Sequence, residues 1–499
     1  MPDHTILALD QGTTSTRAVI FDDGGEVLAS ATRPLAQIYP QAGWVAHEAS
    51  GIFTDAIAVI RDVLQQTKGN IPRAMGITNQ RETVLLWDRV TGEPISNAIV
   101  WQDRRTADYC KTLRDSGFEA EVSAKTGLLL DPYFSATKIA WILENIEFAK
   151  ERALNGDLLA GTIDCWLLWK LTGGKTHATD ATNASRTMLV DIHTGKWDRA
   201  LLEKFEIPAA LLPDIVDCQG NFGVTDGDLV GAEIPITGIV GDQQAAAYGQ
   251  CCFEPGSIKA TFGTGGFILV NTGDKAIVSE NRLLSTILSQ ISGQRRYALE
   301  GSLFMAGATI QWLRDNLGII ENAADTEDLA RAADPDSGVF LVPAFQGLGA
   351  PHWDADARAI IGGMTRGTGR AEIARAALEG VAFQVRDLMV AINDDLRRVE
   401  MSLPQRLKVD GAMSRNNWFL QFLADILDMP VDRASQSEAT ALGAAFHAGL
   451  AVGIYKTENE CAALWRRDRT FEPGMGRAER DRRVAGWRRA LERSFSNDT

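Results

Sequence analysis

The sequence predicts an α/β protein of two duplicated domains with a cleft between them, and three observations carry that prediction. At 499 residues the chain is too long for a single hydrophobic core. Near its start two apolar runs, Ile6–Leu9 and Ala18–Phe21, flank the loop Asp10-Gln-Gly12-Thr13-Thr14-Ser15-Thr16-Arg17. Where the second half opens, the design recurs, with Ser257–Thr261 and Phe267–Val270 around Gly263-Thr264-Gly265-Gly266. Two strand–loop–strand units in equivalent places imply domains over residues 1–250 and 251–499, with their loops facing each other.

The opening loop is longer than a hairpin requires. Two to five residues close a hairpin, whereas this turn uses about seven, four of them Thr or Ser, and ends on Arg17. It therefore offers an anion backbone N–H groups, hydroxyls and a guanidinium, with the Asp10 carboxylate left over for a metal. An Asp-rich hairpin that merely turns the chain fits the same residues. The counterpart at Gly263–Gly265 favours the first reading, because a Gly-Thr-Gly repeated in an equivalent place is much more specific than one alone.

Composition narrows the function. A formal net charge of −15 leaves no basic surface for a broad nucleic-acid footprint, although a nucleotide needs only a few local donors and Mg²⁺. With 45% hydrophobic and 23% charged residues the chain reads as an ordinary globular protein. The six cysteines include no C-x-x-C pair, and adjacent Cys251 and Cys252 are poorly placed to bridge, so a reducing compartment is expected. The N-terminus lacks a signal-peptide pattern and no run approaches a membrane span of about 20 apolar residues. A cytoplasmic protein is expected.

The elements follow in order. Asp22–Gly25 turns into a third strand, Glu26–Ser30, and Ser50–Gln66 has helical apolar spacing. Strand Ala74–Thr78 leads into Asn79-Gln80-Arg81-Glu82-Thr83, a charged loop ahead of the apolar Val84–Trp87. Ile99-Val-Trp101 ends in an aromatic before the polar cluster Gln102–Thr106, and Pro132-Tyr133 precedes a helix over Ile139–Asn145. Gly156–Leu171 reads as an amphipathic core segment carrying Trp166 and Trp169, whereas Thr179–Arg186 is polar and without clear chemistry. Strand Ile234–Val240 ends in Gly241-Asp242-Gln243-Gln244, and helical Ala245–Gln250 follows. An acid at the C-terminal end of a buried strand is where α/β folds place their chemistry. Beyond the second loop come a strand at Ala276–Ser279, a helix opening at Phe304–Gly307, and a long helix over Arg370–Leu396. Strand Leu407–Val409 then runs into Asp410-Gly411-Ala412 ahead of a helix to Leu427. Ser437–Ala445 opens a close-packing helix, and the tail Arg477–Arg493 is a helix with Val484, Trp487 and Leu491 inward.

Six segments carry a resemblance. Asp10-Gln-Gly-Thr-Thr, Asn79-Gln-Arg-Glu-Thr, Trp101-Gln-x-Arg-Arg, Gly241-Asp-Gln-Gln, Gly263-Thr-Gly and Phe304-Met-Ala-Gly-Ala-x-Ile-Gln-Trp-Leu resemble the glycerol kinases of the FGGY carbohydrate-kinase family. Tyr133–Asn145 and Gly363–Glu379 are similar to that family's two signature regions, and the similarity spans about residues 5–490. It implies two RNase H-like domains of the actin, Hsp70 and hexokinase type, an ATP- and Mg²⁺-dependent transfer to glycerol, and assembly as a homodimer or homotetramer. Asp242 would be the catalytic base. Arg81, Glu82, Tyr133, Asp242 and Gln243 would hold the glycerol hydroxyls, with Trp101 and Phe267 on its carbon edge. Asp10 would lie near Mg²⁺, directly or through water. Thr13, Thr14, Ser15, Arg17, Gly263 and Thr264 would surround the phosphates, and Gly307, Gln311, Ala412 and Asn416 the rest of the nucleotide.

These roles agree with the chemistry of the residues. A small uncharged triol needs many hydrogen bonds per carbon, which an Arg-Glu pair supplies. Phosphoryl transfer asks mainly for positioning and charge neutralisation, and a primary alcohol must still lose a proton. Three positions depart from the family pattern: Ala412 stands where a second glycine is usual, Gly266 where cysteine is frequent, and Glu233 where some bacterial relatives carry an arginine that helps bind fructose 1,6-bisphosphate. The Ala412 methyl would crowd a nucleotide slightly, and Glu233 would repel a phosphorylated sugar. Two other functions compete. An FGGY kinase for a longer polyol or ketose would need more room than Trp101 and Phe267 leave. An actin- or Hsp70-like ATPase would have no use for Arg81-Glu82 and Gly241-Asp242-Gln243.

Overall fold

The computed structural model describes residues 4–496. Its first half is built on five strands, β1 (Thr5–Gln11), β2 (Ser15–Asp22), β3 (Val27–Pro34), β4 (Ala74–Asn79) and β5 (Ile236–Gly241), in the order β5-β4-β1-β2-β3. β1 pairs antiparallel with β2 and parallel with β4, and β4 pairs parallel with β5. The second half carries β6 (Ile258–Phe262), β7 (Gly266–Gly273), β8 (Leu284–Ile291), β9 (Gln294–Leu303), β10 (Leu407–Asp410), β11 (Val431–Ala434) and β12 (Arg467–Phe471). They form one sheet in the order β8-β9-β7-β6-β10-β11-β12. Without the two edge strands this is the first sheet again: β6 runs antiparallel to β7 and parallel to β10, which is parallel to β11. The duplication expected from two loops is thus a duplication of a whole RNase H-like sheet.

Each sheet is covered on both sides, which is why β1 and β2 read as unbroken apolar runs. Leu7, Leu9, Ala18 and Ile20 face α1 (Ala49–Gln66), whose buried stripe is Ile52, Val59, Ile60 and Val63. A side sheet that pairs Val84–Asp88 with Leu158–Thr162, and α2 (Ser135–Asn145), build out this half. At the end of β5 the chain enters α3 (Asp242–Gly249). In the second half α4 (Gly307–Asp315), α5 (Arg370–Arg398) and α6 (Asn417–Leu427) share one core with β6 and β10. The last of the linking helices, α7 (Ala439–Ala451), crosses to the first sheet and covers its other face through Ala441, Ala444, Ala445 and Ala448 against Ile6, Ala8 and Val19.

α3 and α7, each following the last parallel strand of its half, cross in direct backbone contact. A Cβ on Gly249 would lie 1.9 Å from the Ala439 carbonyl oxygen, and one on Gly443 1.9 Å from that of Ala245. No side chain larger than hydrogen fits at either point.

Two expected elements differ. Gly156–Leu171 is a strand, Leu158–Thr162, followed by a helix, Ile163–Leu171, with Trp166 and Trp169 buried in the core. The helix is apolar on nearly every side, so its spacing carries no amphipathic signal. Ala276–Ser279 is not a strand: the Ser279 hydroxyl and the Glu280 N–H both donate to the Asp395 carboxylate on α5, which pulls the chain out of the sheet until β8. The tail helix, Arg477–Glu492, does bury Val484, Trp487 and Leu491. All six cysteines are free thiols.

Candidate active site

A cleft of about 190 Å³ opens between the halves. Its lining includes Thr13, Thr14, Arg81, Glu82, Trp101, Tyr133, Asp242 and Gln243 from the first half and Gly263, Thr264 and Phe267 from the second. The structure thus gathers all seven residues expected around the alcohol and four of those expected at the phosphates. A larger cavity of about 560 Å³ beside Tyr248 and Arg296 contains neither loop and none of these side chains.

The β4 end supplies the first cluster. Glu82 sits at φ 61, a left-handed conformation that costs a non-glycine residue energy and recurs at functional sites. It places Glu82 beside Arg81 in a buried ring of four charges. Arg81 donates to both oxygens of Glu300 at 2.6 and 2.9 Å, and Arg186 donates to Glu300 at 3.1 Å and to Glu82 at 2.6 Å. Burial pushes Glu300 up, but Arg186 and Arg81 together outweigh it and hold the carboxyl at about 2. Glu82, which receives only one of these hydrogen bonds, is raised by burial despite the same two cations. Glu300 lies on β9, in the other half, so the ring joins the two domains beneath the cleft.

Asp242 opens α3 at the end of β5, where the Gly241 N–H donates to the Thr182 hydroxyl at 2.8 Å. The side chain keeps a quarter of its surface exposed, while Oδ1 is buried with no hydrogen-bond partner. Arg81 Nε stands 3.2 Å from that oxygen without hydrogen-bond alignment. Burial raises the Asp242 carboxyl above its ordinary value, against the pull of Arg81 and Lys259. The aromatic walls come from both domains: the Trp101 ring lies 5.5 Å from Tyr133 and 6.1 Å from Phe267, and Trp101 Nε1–H donates to the Thr13 hydroxyl at 2.8 Å.

The two loops line the same cleft. Burial lifts Asp10 to about 7, with Arg17 lowering it and Asp242 and Glu438 raising it. A half-buried carboxylate with a second one near it suits a divalent cation, and Mg²⁺ takes one or two carboxylates plus phosphate and water oxygens. Arg17 does not point freely into the cleft. Its guanidinium pairs with Glu438, the residue before α7, and donates to the Thr32 hydroxyl at 3.2 Å. Ser15 holds the loop shape, its carbonyl accepting the Gly12 N–H at 2.9 Å. In the second loop the carbonyls of Gly263 and Thr264 accept the Gly307 and Ala308 N–H groups at 2.9 and 3.0 Å. A Cβ on Gly307 would meet the Gly263 oxygen at 2.6 Å, so glycine there is required by the loop itself.

Gly307, Gln311, Ala412 and Asn416 lie outside the lining of the cleft. Gln311 is exposed one turn along α4 from Gly307, on the same helix face. Ala412 is exposed at the start of a short 3₁₀ turn, Ala412–Arg415. The Asn416 side chain is engaged at both ends, its Oδ1 capping α6 at the Phe419 N–H and its Nδ2 donating to the Thr326 hydroxyl. The sequence reasoning missed Arg186, Glu300 and Lys259. The signal for the first was present: a polar stretch, Thr179–Arg186, inside an apolar region.

Comparison with known proteins identifies the family. The N-terminal domain of the FGGY family of carbohydrate kinases matches residues 5–249, and its C-terminal domain matches residues 258–452. The chain is 53% identical to a glycerol kinase of Roseobacter denitrificans and 54% identical to one of Rhodospirillum centenum, in both cases over 98% of each chain. The solved structure of Plasmodium falciparum glycerol kinase with ADP superposes with a TM-score of 0.91 at 37% identity, covering 99% of both chains. Duplicated sheets, paired loops and full-length similarity together make this chain a member of the FGGY family of carbohydrate kinases, within its glycerol-kinase branch.

Proposed function

We propose that this protein transfers the terminal phosphoryl group of ATP to glycerol, giving sn-glycerol 3-phosphate, with Asp242 as the general base. The observation that carries the reading is the unpartnered Oδ1 of Asp242 inside a cleft that also holds Arg81, Glu82 and the second-loop Thr264. A buried carboxylate oxygen without a donor is an acceptor waiting for one. A substrate hydroxyl there gives its proton to Asp242 as the new O–P bond forms. Arg81 and Glu82 fix the neighbouring hydroxyls, while Trp101 and Phe267 cover the C–H face and keep water out. Thr13, Thr14, Gly263 and Thr264 hold the phosphates in line from the two loops, and Arg17 reaches them when it leaves Glu438. Asp10 would hold the Mg²⁺ of the nucleotide, which when bound neutralises phosphate charge. Gln311, Ala412 and Asn416 border the nucleotide farther out. No helix among the described residues is long and apolar enough to cross a membrane, and the enzyme is proposed to act in the cytoplasm.

The test is ADP release across glycerol, dihydroxyacetone, erythritol and xylulose. Glycerol is expected to give strong turnover and xylulose little, because Trp101 and Phe267, 6.1 Å apart, close over the carbon edge of the substrate. ATP turnover independent of any alcohol would overturn the reading in favour of a nucleotide-driven ATPase. Glu233 lies exposed in the segment ahead of β5. Millimolar fructose 1,6-bisphosphate is therefore expected to leave the rate unchanged in the same assay, and clear inhibition would show that Glu233 does not prevent effector binding.

A further inference from the structure

Lys259 is completely buried in β6, among the catalytic groups but outside the lining of the cleft. Its Nζ donates to Gln243 Oε1 at 2.5 Å and to the Thr261 hydroxyl at 2.9 Å. Both partners do line the cleft. Lys259 and Thr261 share a strand face because they are two residues apart, whereas Gln243 belongs to α3 in the other domain. Burial lowers the Lys259 pKa below its ordinary value, while Asp410, Asp242 and Glu300 around it favour the ammonium and Arg81 opposes them.

An ammonium group only donates, and a side-chain amide carries an acceptor at one end and two donors at the other. With Lys259 opposite it, Gln243 must present its oxygen inward; a flipped amide would set NH₂ against NH₃⁺. The Nε2 hydrogens are left for the neighbouring Asp242 carboxylate and the cleft. Beside them stands Asp242, which as a carboxylate only accepts.

We propose that Lys259 is a positioning residue for the alcohol substrate: it locks Gln243 as a hydrogen-bond donor, so that the adjacent Asp242–Gln243 pair presents one acceptor and one donor to substrate hydroxyls. Hydroxyl groups both give and take, so this pair suits a polyol, whereas an amide free to flip would offer either sign. The inference rests on the glycerol-kinase reading of the cleft.

A double-mutant cycle on the full-length protein tests it, read as KM for glycerol at saturating ATP. Lys259→Met is expected to raise that KM about tenfold or more, as loss of a charge-assisted contact does. Gln243→Ala is expected to do the same, and the double variant to fall within about twofold of the worse single, because one interaction is removed twice. A KM for Lys259→Met within about twofold of the parent, or losses that multiply, overturns the proposal. If Lys259→Met does not fold, Gln243→Glu decides. It keeps Lys259 paired but offers the substrate no donor, so KM is expected to rise at least about tenfold, and an unchanged KM overturns the locked-donor role. Failure of the parent enzyme to release ADP in a glycerol-dependent way would instead refute the reading on which the inference rests, before any variant is compared.

Discussion

Asp242→Asn is expected to lower kcat for glycerol phosphorylation by at least about 100-fold while glycerol and ATP still bind measurably. The substitution keeps the shape of the side chain and removes its capacity to take a proton. General-base contributions typically amount to about 10²–10⁴-fold, and nothing else lining the cleft is placed to take over, since Glu82 is already tied to Arg186 at 2.6 Å. The parent enzyme should also show an acid limb that the variant lacks. A base works only when ionised, and burial raises this carboxyl, so activity falls as pH drops through a value above the ordinary carboxylate range. Stability separates this outcome from misfolding. A carboxyl whose folded pKa is raised binds its proton more tightly when folded, so the ionised form at neutral pH costs folding free energy. The neutral asparagine escapes that cost, and the variant is expected to melt no lower than the parent. A near-normal kcat would remove Asp242 from the base role.

The scaffold was legible in the sequence because burial on both faces writes a strand as an unbroken apolar run. Ile6–Leu9 shows this: Leu7 and Leu9 face one core and Ile6 and Ala8 the other. The cleft was legible wherever polar residues stand at strand ends, as with Arg81-Glu82 after β4 and Asp242-Gln243 after β5. Two of the three residues that escaped lie inside strands. Lys259 and Glu300 each occupy a position that in a single strand reads as an outward polar residue, and only a partner from the other domain makes them buried. No local pattern encodes a contact across 219 residues of chain, such as that between Arg81 and Glu300. Arg17 and Asn416 show the converse. Their residue types suggest ligand contacts, and what the sequence does not show is the protein partner each also has, Glu438 for Arg17 and the first turn of α6 for Asn416.

The same cross-domain ring makes Glu300→Gln the most damaging conservative change outside the cleft. In the parent, two guanidinium groups are offset by two carboxylates, all four side chains at most 2% exposed. Removing one charge leaves Arg81 and Arg186 buried with only Glu82 in the ring, and the part-exposed Asp242 3.2 Å from Arg81, to offset them. Breaking a buried pair in this way costs about 3–5 kcal/mol, most of it the uncompensated charge that remains. A fall in melting temperature of several degrees is expected, together with a glycerol KM raised about tenfold or more as Arg81 loses its bidentate anchor. The pH dependence has a definite sign. Glu300 moves from an ordinary 4.5 to about 2 on folding, so its stabilisation is complete above the unfolded value and disappears as pH falls between the two. The variant should lose less stability than the parent across that window. Adding Arg186→Met restores neutrality and is expected to recover much of the melting temperature without recovering KM, since Arg81 stays unanchored. That split distinguishes the two jobs of the ring: neutralising buried charge, which any balanced set can do, and aiming Arg81 at the substrate, which requires Glu300 from the opposite domain. If Glu300→Gln alone keeps both the melting temperature and KM of the parent, the ring contributes to neither.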